Sequence, residues 1–189
     1  MDYNYKTFDE ISIGDKVKFD ILIDEKSHND FSRLSGDFSP IHCNEEFAES
    51  TIFKHRIAYA FLLNSYLSQL YGMYLPGGTS ICLKQESKFI RPVYIGQKIL
   101  VEAEVLSKSD STKMLEIKTE MRNEENQKVF EGKGTVQLLF DTRNLIMFRA
   151  NKQNKDIYCY DIVKGLKEGG IKENNIVLVH SDVSKFGKI

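Results

Sequence analysis

The chain has 189 residues, of which 41% are hydrophobic and 28% are charged, enough for one full core and a modest remainder. A net charge of −1, from 26 basic and 27 acidic residues without a basic block, gives no electrostatic footprint for nucleic acid. No stretch approaches the roughly 18 apolar residues of a membrane span, and the N-terminus lacks the basic and then apolar pattern of a secretory signal. We therefore expect a protein that binds neither nucleic acid nor membrane.

The three cysteines, Cys43, Cys82 and Cys159, are widely spaced along the chain. An odd number at such spacing fits neither a disulfide framework nor a metal site. We expect a cytoplasmic, reduced location with no metal and no other cofactor. Cys43 follows His42 directly, but a nucleophilic thiol needs an activating base and an oxyanion site. We favour a small buried or half-buried thiol at Cys43.

The first element is a strand predicted over residues 16–25, where apolar and charged residues alternate as in a strand with one buried face. A short helix follows, with Ser27 as its N-cap, because a serine hydroxyl can accept from the first free backbone N–H groups. The helix is predicted to end at Gly36, since glycine suits the left-handed conformation beyond a helix C-terminus.

Residues 35–42 read Ser-Gly-Asp-Phe-Ser-Pro-Ile-His. Gly36 and Pro40 interrupt regular structure and therefore predict a loop, which carries one carboxylate, Asp37, and one imidazole, His42. Catalytic groups are over-represented on such loops. The alternative is that Asp37 is only a turn residue and that His42 is a hydrogen-bonded structural group.

The longest helix is predicted over residues 57–74, and its apolar residues leave almost no polar face, which indicates burial. The exceptions recur every three or four residues and form a narrow stripe of small or polar side chains, Ser65, Ser68, Gln69 and Gly72. We favour close packing of this stripe on a sheet over a second interpretation, in which part of it lines a ligand channel.

Four extended segments follow the helix, separated from each other by turn residues. They cover residues 79–93, 97–107, 113–122 and 128–140. We predict that they are long, neighbouring, antiparallel strands. One strand, a buried helix and then four strands predict an α+β fold, with an antiparallel sheet wrapped around a central helix.

The run from Phe31 to His42, with Ala48 six residues later, resembles the hydratase signature of MaoC-like dehydratases and (R)-specific enoyl-CoA hydratases of the hot-dog fold. The resemblance continues through the long helix and the strands, over about residues 8–140. It implies a hot-dog domain at residues 1–142 and a hydro-lyase that reversibly adds water to a trans-2-enoyl thioester of coenzyme A or acyl carrier protein. It also implies a homodimer, in which strand edges pair across a two-fold axis.

The resemblance assigns roles to individual residues. Asp37 and His42 match the catalytic pair that holds one water for addition across the double bond, and Ser68 matches a serine near that site. The asparagine of the motif is replaced by Ser39, a shorter polar group at the substrate site. Two further histidines have no motif partner and are predicted to be surface or capping residues, His28 and His55.

The head of the long helix departs from the family pattern, because Tyr59-Ala60-Phe61 replaces the usual His-Gly-Met. The Ala60 N–H can still contact the thioester oxygen, while Tyr59 and Phe61 are expected to reshape the acyl channel. Two alternatives to the hydro-lyase stay open. A hot-dog thioesterase would prefer a lone carboxylate on the helix, and residues 57–74 contain none. A non-catalytic acyl-thioester-binding module is compatible with the altered helix head.

The C-terminal part of the chain has a different character. Residues 143–155 are polar and amide-rich, which predicts a linker. Residues 156–189 resemble the opening of the aminoglycoside 3-N-acetyltransferase family. We give equal weight to a fragment of a hydratase fused to, or partnered with, an N-acyltransferase and to a docking appendage. His180 and Ser181 are expected to carry no chemistry.

Overall fold

The computed structural model describes residues 6–139. The helices in this range are α1 (Glu25–Ser35), α2 (Pro40–Cys43), α3 (Glu45–Ser50) and α4 (Ala60–Gln69), which a π-helical turn extends over Leu70–Tyr74. The strands are β1 (Lys16–Leu22), β2 (Ser80–Phe89), β3 (Lys98–Ser109), β4 (Met114–Arg122) and β5 (Lys128–Leu138). The predicted linker at 143–155 and the predicted extension at 156–189 lie outside the described residues.

Between residues 6 and 139, no helix is long and apolar enough to cross a bilayer. Helix α4, which enters the core, has only 10 residues. A span through the hydrocarbon core needs about 20.

The five strands form one antiparallel sheet in the order β1-β3-β4-β5-β2. One row of paired residues crosses the whole sheet, Phe19, Val101, Met121, Phe130 and Phe89. The predicted α+β class and the antiparallel pairing are confirmed. The four strands after the helix are neighbours in the sheet, as predicted, but β2 pairs with β5 and not with β3, the next strand along the chain. Such non-local pairing leaves no periodic signal in the sequence.

The sheet and α4 share one hydrophobic core. Three residues of α4, Leu62, Leu63 and Leu67, belong to the same buried cluster as the inward-facing residues of the strands. In β4, and in β3 as far as Val105, every second side chain is buried, as a sheet with one covered face requires. Each fully buried aliphatic side chain contributes about 1.5–3 kcal/mol to folding, so this packing holds the framework on which the loops rest.

The opposite face of the sheet is charged. Cross-strand ion pairs lie on it, Lys16–Glu104, Lys18–Glu102 and Lys133–Glu116. Glu120 has the most partners, and hydrogen bonds from Lys118, then Lys128 and Arg122, lower its pKa to about 2. Exposed pairs of this kind contribute about 1 kcal/mol or less each. The charged side chains keep this face of the sheet in solvent, while the apolar face packs on α4.

The first helix begins earlier than predicted. Its N-cap is Asp24, whose carboxylate accepts a hydrogen bond of 2.6 Å from the backbone N–H of Ser27. The predicted N-cap at Ser27 is therefore wrong, because the carboxylate places Ser27 inside the first turn. The same contact ends β1 at Leu22, short of the predicted residue 25. The predicted end of the helix is confirmed, since Gly36 adopts the left-handed conformation with φ of 74°.

The long helix is shorter than predicted at its start. Ile57 forms an isolated antiparallel bridge with Tyr94, and the Ala58 N–H donates to the carbonyl oxygen of Val93 at 2.7 Å. These contacts keep the backbone extended, so α4 begins only at Ala60. Prediction of a helix from residue 57 is wrong because strand-like contacts to a distant loop override the local apolar pattern.

Candidate active site

A short loop after α1 fixes the carboxylate of Asp37. The left-handed Gly36 reverses the chain, and Asp37 Oδ1 then accepts a hydrogen bond of 3.0 Å from the Ser39 N–H. The Asp37 N–H donates to Ser35 Oγ at 3.2 Å. Asp37 is exposed, and no donor among residues 6–139 reaches its second carboxylate oxygen, Oδ2. One oxygen is thus tied to the backbone, while the other can meet a ligand.

His42 stands at the end of the same loop, in α2, and is half-buried. Its Nδ1 lies 2.8 Å from the carbonyl oxygen of Ile57. A carbonyl oxygen only accepts hydrogen bonds, so Nδ1 carries the proton in the neutral ring and Nε2 keeps its lone pair. No other group in the described part of the chain occupies Nε2. The arrangement leaves a base directed away from the backbone that holds it.

The carbonyl group that holds His42 is itself well anchored. The Ile57 N–H donates to the Ile41 carbonyl at 3.4 Å, so residues 41 and 42 contact residue 57 twice. Arg56, next in the chain, forms ion pairs of 3.1 Å with Glu25 of α1 and with Glu45 of α3. These pairs join the first turns of two helices to the strand-like segment that supplies the Ile57 carbonyl.

The head of α4 meets this loop through Tyr59. The Tyr59 ring is only 3% exposed and lies 4.1 Å from the His42 ring, centre to centre. Its hydroxyl donates to the Asp37 carbonyl oxygen at 2.7 Å. Ala60 is the first residue of α4, where a backbone N–H has no partner within its own helix. The structure thus brings Asp37, His42, Tyr59 and Ala60 together.

Two other predicted site residues face solvent. Phe61 is 69% exposed, and its ring meets Phe89 of β2 edge-on. Ser68 is exposed and lies eight residues beyond Ala60, about 12 Å along the helix axis at the rise of an α-helix. Within one chain, Ser68 is therefore remote from the loop of Asp37 and His42. Ser39 lies in that loop, where its N–H binds Asp37 and its carbonyl oxygen accepts from the His42 N–H.

The polar stripe of α4 does not pack on the sheet as we expected. Ser65 and Ser68 are exposed, while Gln69 and Gly72 are half-buried. A Cβ atom added to Gly72 would meet nothing within 4 Å, so no close approach requires a small residue there. The favoured packing interpretation is wrong for a single copy of the chain, because the stripe lies on the face of α4 that turns away from the core.

His28 is the residue that the sequence interpretation missed. It is fully buried, and its Nε2 lies 3.0 Å from the His42 carbonyl oxygen. Its Nδ1 is buried without a partner in the described region. The prediction of a surface or capping role is wrong for His28, although His55 is exposed as predicted. The signal that could have indicated burial is the helical period, which places His28 on one face with Phe31 and Ser32.

Cys43 is exposed, which corrects the expectation of a buried or half-buried thiol. Its Sγ lies 3.3 Å from the Tyr59 hydroxyl oxygen. Residues 6–139 contain no group of three or more acidic, histidine or cysteine side chains placed to hold a metal ion. The groups that the structure gathers here are a carboxylate, an imidazole, a thiol, a phenol hydroxyl and a helix N-terminus.

Comparison with known proteins gives concordant similarities. The family model described as a MaoC like domain matches residues 9–136. An (R)-specific enoyl-CoA hydratase from Rhodospirillum rubrum is 32% identical over 131 residues, 69% of this chain and 90% of that protein. Another (R)-specific enoyl-CoA hydratase, from Aeromonas caviae, is 30% identical over 128 residues, 68% of this chain and 96% of that protein.

A solved structure of similar fold is the unliganded R-hydratase from Pseudomonas aeruginosa. It superposes with a TM-score of 0.68 at 28% sequence identity, and the match covers 80% of this chain and 96% of that protein. The predicted hot-dog fold, a sheet around a central helix, is confirmed.

Burial lowers the pKa of His28, while its hydrogen bond to the His42 carbonyl acts in the opposite direction. Among the neighbouring charged groups, Arg56 and His42 lower this pKa and Glu25 raises it. The unfolded chain therefore binds more protons than the folded chain just below the ordinary histidine pKa of about 6.5. Neutral His28 therefore contributes fully to the free energy of unfolding above that pH. This contribution is lost as the pH falls towards the lower pKa of His28 in the folded state.

We predict that replacement of His28 by Gln removes this acid sensitivity, because the glutamine amide can donate the same hydrogen bond without titrating. Urea denaturation from about pH 7.5 to about pH 5 should show the unmodified protein losing more stability than His28→Gln. The prediction would be contradicted if both proteins lost the same stability between the two pH values, or if the unmodified protein lost less than His28→Gln.

Proposed function

The chain belongs to the MaoC-like dehydratase family, and from this premise we propose that it is a hydro-lyase that reversibly adds water to a trans-2-enoyl thioester. The observation that carries the proposal is the geometry of His42 and Asp37, which lie on the loop after α1, beside the head of α4. His42 is fixed as a base with a free Nε2, and Asp37 offers one free carboxylate oxygen. Tyr59 contacts both residues.

In the proposed reaction, His42 Nε2 takes a proton from water as the water oxygen bonds to the β-carbon. The electrons of the double bond move towards the thioester, and negative charge develops on its oxygen. The Ala60 N–H and the N-terminus of α4 stabilise that charge through fixed dipoles. Asp37 positions the water or relays to the α-carbon the proton that His42 has taken up, so that His42 returns to its neutral form. Loss of water from a 3-hydroxyacyl thioester uses the same groups in the reverse order.

We predict that the unmodified protein consumes crotonyl-CoA, followed by the absorbance of its conjugated double bond. Asp37→Asn and His42→Ala should each lower kcat by about 10²- to 10⁴-fold, the usual contribution of a positioned acid or base. Matched controls are Asp110→Asn and His55→Ala, because both replaced residues are exposed and outside the loop. Equal activity in all five proteins, or no activity in any of them with short or long enoyl-CoAs, would contradict the proposal.

Two alternatives predict different products. A hot-dog thioesterase would release a free thiol from the acyl-CoA, which a thiol reagent detects, and a non-catalytic module would bind the thioester without turnover. The helix offers the thioesterase no carboxylate between residues 57 and 74. The altered helix head, Tyr59-Ala60-Phe61, is the feature that favours the binding module. Thiol release without loss of the double bond would support the first alternative.

We propose that the thioester is carried by coenzyme A or by acyl carrier protein, and that the protein acts in the cytoplasm. The resemblance of residues 156–189 to an N-acyltransferase family supports a fused or partner acyltransferase that also uses acyl thioesters. Turnover of the same enoyl group on coenzyme A and on acyl carrier protein shows which carrier the protein uses.

We also propose a homodimer. Strand β2 lies at the edge of the sheet and is exposed along most of its length. It presents large apolar side chains to solvent, Ile81 (40%), Leu83 (47%) and Phe89 (38%). Phe61 of α4 lies beside Phe89 and extends this apolar surface. A second copy that joins at β2 would pair the free edge and cover these side chains, as natural sheets avoid bare edges.

We predict that sedimentation at micromolar concentration gives about twice the chain mass of 21.8 kDa. The double replacement Ile81→Lys with Leu83→Lys should shift the protein towards a monomer, because it places two charges in the contact. Leu106→Lys is the control, since Leu106 is similarly exposed, at 39%, but lies on the interior strand β3. A monomeric unmodified protein would contradict the proposed dimer.

A further inference from the structure

Tyr59 makes contact with both halves of the proposed catalytic pair from a position inside the protein. The centre of its ring lies 4.1 Å from that of the His42 ring, 4.7 Å from that of His28 and 5.1 Å from that of Phe31. The hydroxyl reaches past these rings to the backbone of Asp37. We expected this side chain to reshape the acyl channel, but it is almost completely enclosed by α1 and the loop.

The hydrogen-bond directions at Tyr59 are fixed. Its single hydroxyl hydrogen goes to the Asp37 carbonyl oxygen, so the Cys43 thiol donates to the Tyr59 oxygen. Burial raises the pKa of the Tyr59 hydroxyl above its usual range. Tyr59 therefore remains a donor to Asp37 at any pH at which the protein works.

His28 supports the loop from the other side. The His42 carbonyl oxygen accepts the hydrogen bond, so His28 Nε2 must carry the proton. His28 Nδ1 is then unprotonated. Because it has no hydrogen-bond partner in the described part of the chain, this tautomer avoids burying an unpaired N–H group. His28 thus holds the backbone of His42 while Ile57 holds its ring.

We propose that Tyr59 and His28 are positioning residues for the water-handling pair, an inference that rests on the proposed function. Tyr59 fixes the backbone of Asp37 and the plane of the His42 ring, and His28 fixes the backbone of His42. Both side chains form their hydrogen bonds to backbone oxygens of the pair, and not to His42 Nε2 or to the Asp37 carboxylate. Of the changed residues at the head of α4, Tyr59 therefore acts inward, on the geometry of Asp37 and His42, and not outward on the acyl chain.

The expected effect follows from the geometry. Misplacing a catalytic group by about 1 Å can cost about 10²-fold in rate, and loss of one of several contacts should cost less. For Tyr59→Phe, which removes only the hydroxyl, we expect kcat for hydration of crotonyl-CoA to fall about tenfold with KM within about twofold. The matched control is Tyr66→Phe on the same helix, because no hydrogen bond of the Tyr66 hydroxyl is present in residues 6–139.

Amide hydrogen exchange tests the positioning without turnover. The N–H groups of His42 and Cys43 donate to the Ser39 carbonyl, and that of Asn44 donates to the Pro40 carbonyl. In Tyr59→Phe these amides should exchange faster, while the amides of the central strands should exchange as in the unmodified protein. Unchanged kcat and unchanged exchange at residues 42–44, relative to Tyr66→Phe, would overturn the inference for Tyr59.

His28 is tested with two variants. His28→Gln keeps a donor to the His42 carbonyl and should retain kcat within about threefold, while His28→Leu removes the donor and should lower kcat and speed exchange at residues 42–44. Equal behaviour of the two variants would overturn the role of His28. An unmodified protein that does not hydrate enoyl thioesters would instead overturn the proposed function, and the catalytic part of this inference with it.

Discussion

The hydrogen bond from His42 Nδ1 to the Ile57 carbonyl oxygen, 2.8 Å long, joins the exposed loop to the buried part of the protein. It fixes which nitrogen of His42 carries the proton, and so which nitrogen can act as a base. The carbonyl is rigid because residues 57 and 58 are bonded to the segment at Val93 and Tyr94. Placement of the base thus depends on backbone contacts to the segment between β2 and β3.

The fold separates stability from chemistry. The stabilising groups are the apolar faces of α4 and the sheet, and the charged outer face has little influence on the site. The reactive groups lie on a loop between α1 and α3, where they can meet a ligand without opening the core. Because a loop alone is mobile, its side chains need contacts from more rigid elements. Ile57, Tyr59 and His28 supply them from three different segments.

Much of this architecture could be predicted from the sequence. Alternating apolar and polar residues predicted the strands, and Gly36 and Pro40 predicted the loop that carries Asp37 and His42. The remainder depends on contacts between distant residues. No pattern indicates that the backbone of Ile57 binds a side chain 15 residues earlier, or that β2 crosses to the edge beside β5. His28 was misjudged because no motif pairs with it, while its hydrogen-bond partner, the His42 carbonyl, lies 14 residues later in the chain.

The most direct test of this account is ¹⁵N NMR of the His42 ring at about pH 8.5, above the ordinary histidine pKa, with signals assigned by their loss in His42→Ala. The account predicts a single tautomer, with the proton on Nδ1 and a free lone pair on Nε2. A ring with its proton on Nε2, or a mixture of both tautomers, would contradict the claim that the Ile57 carbonyl prepares His42 as the base.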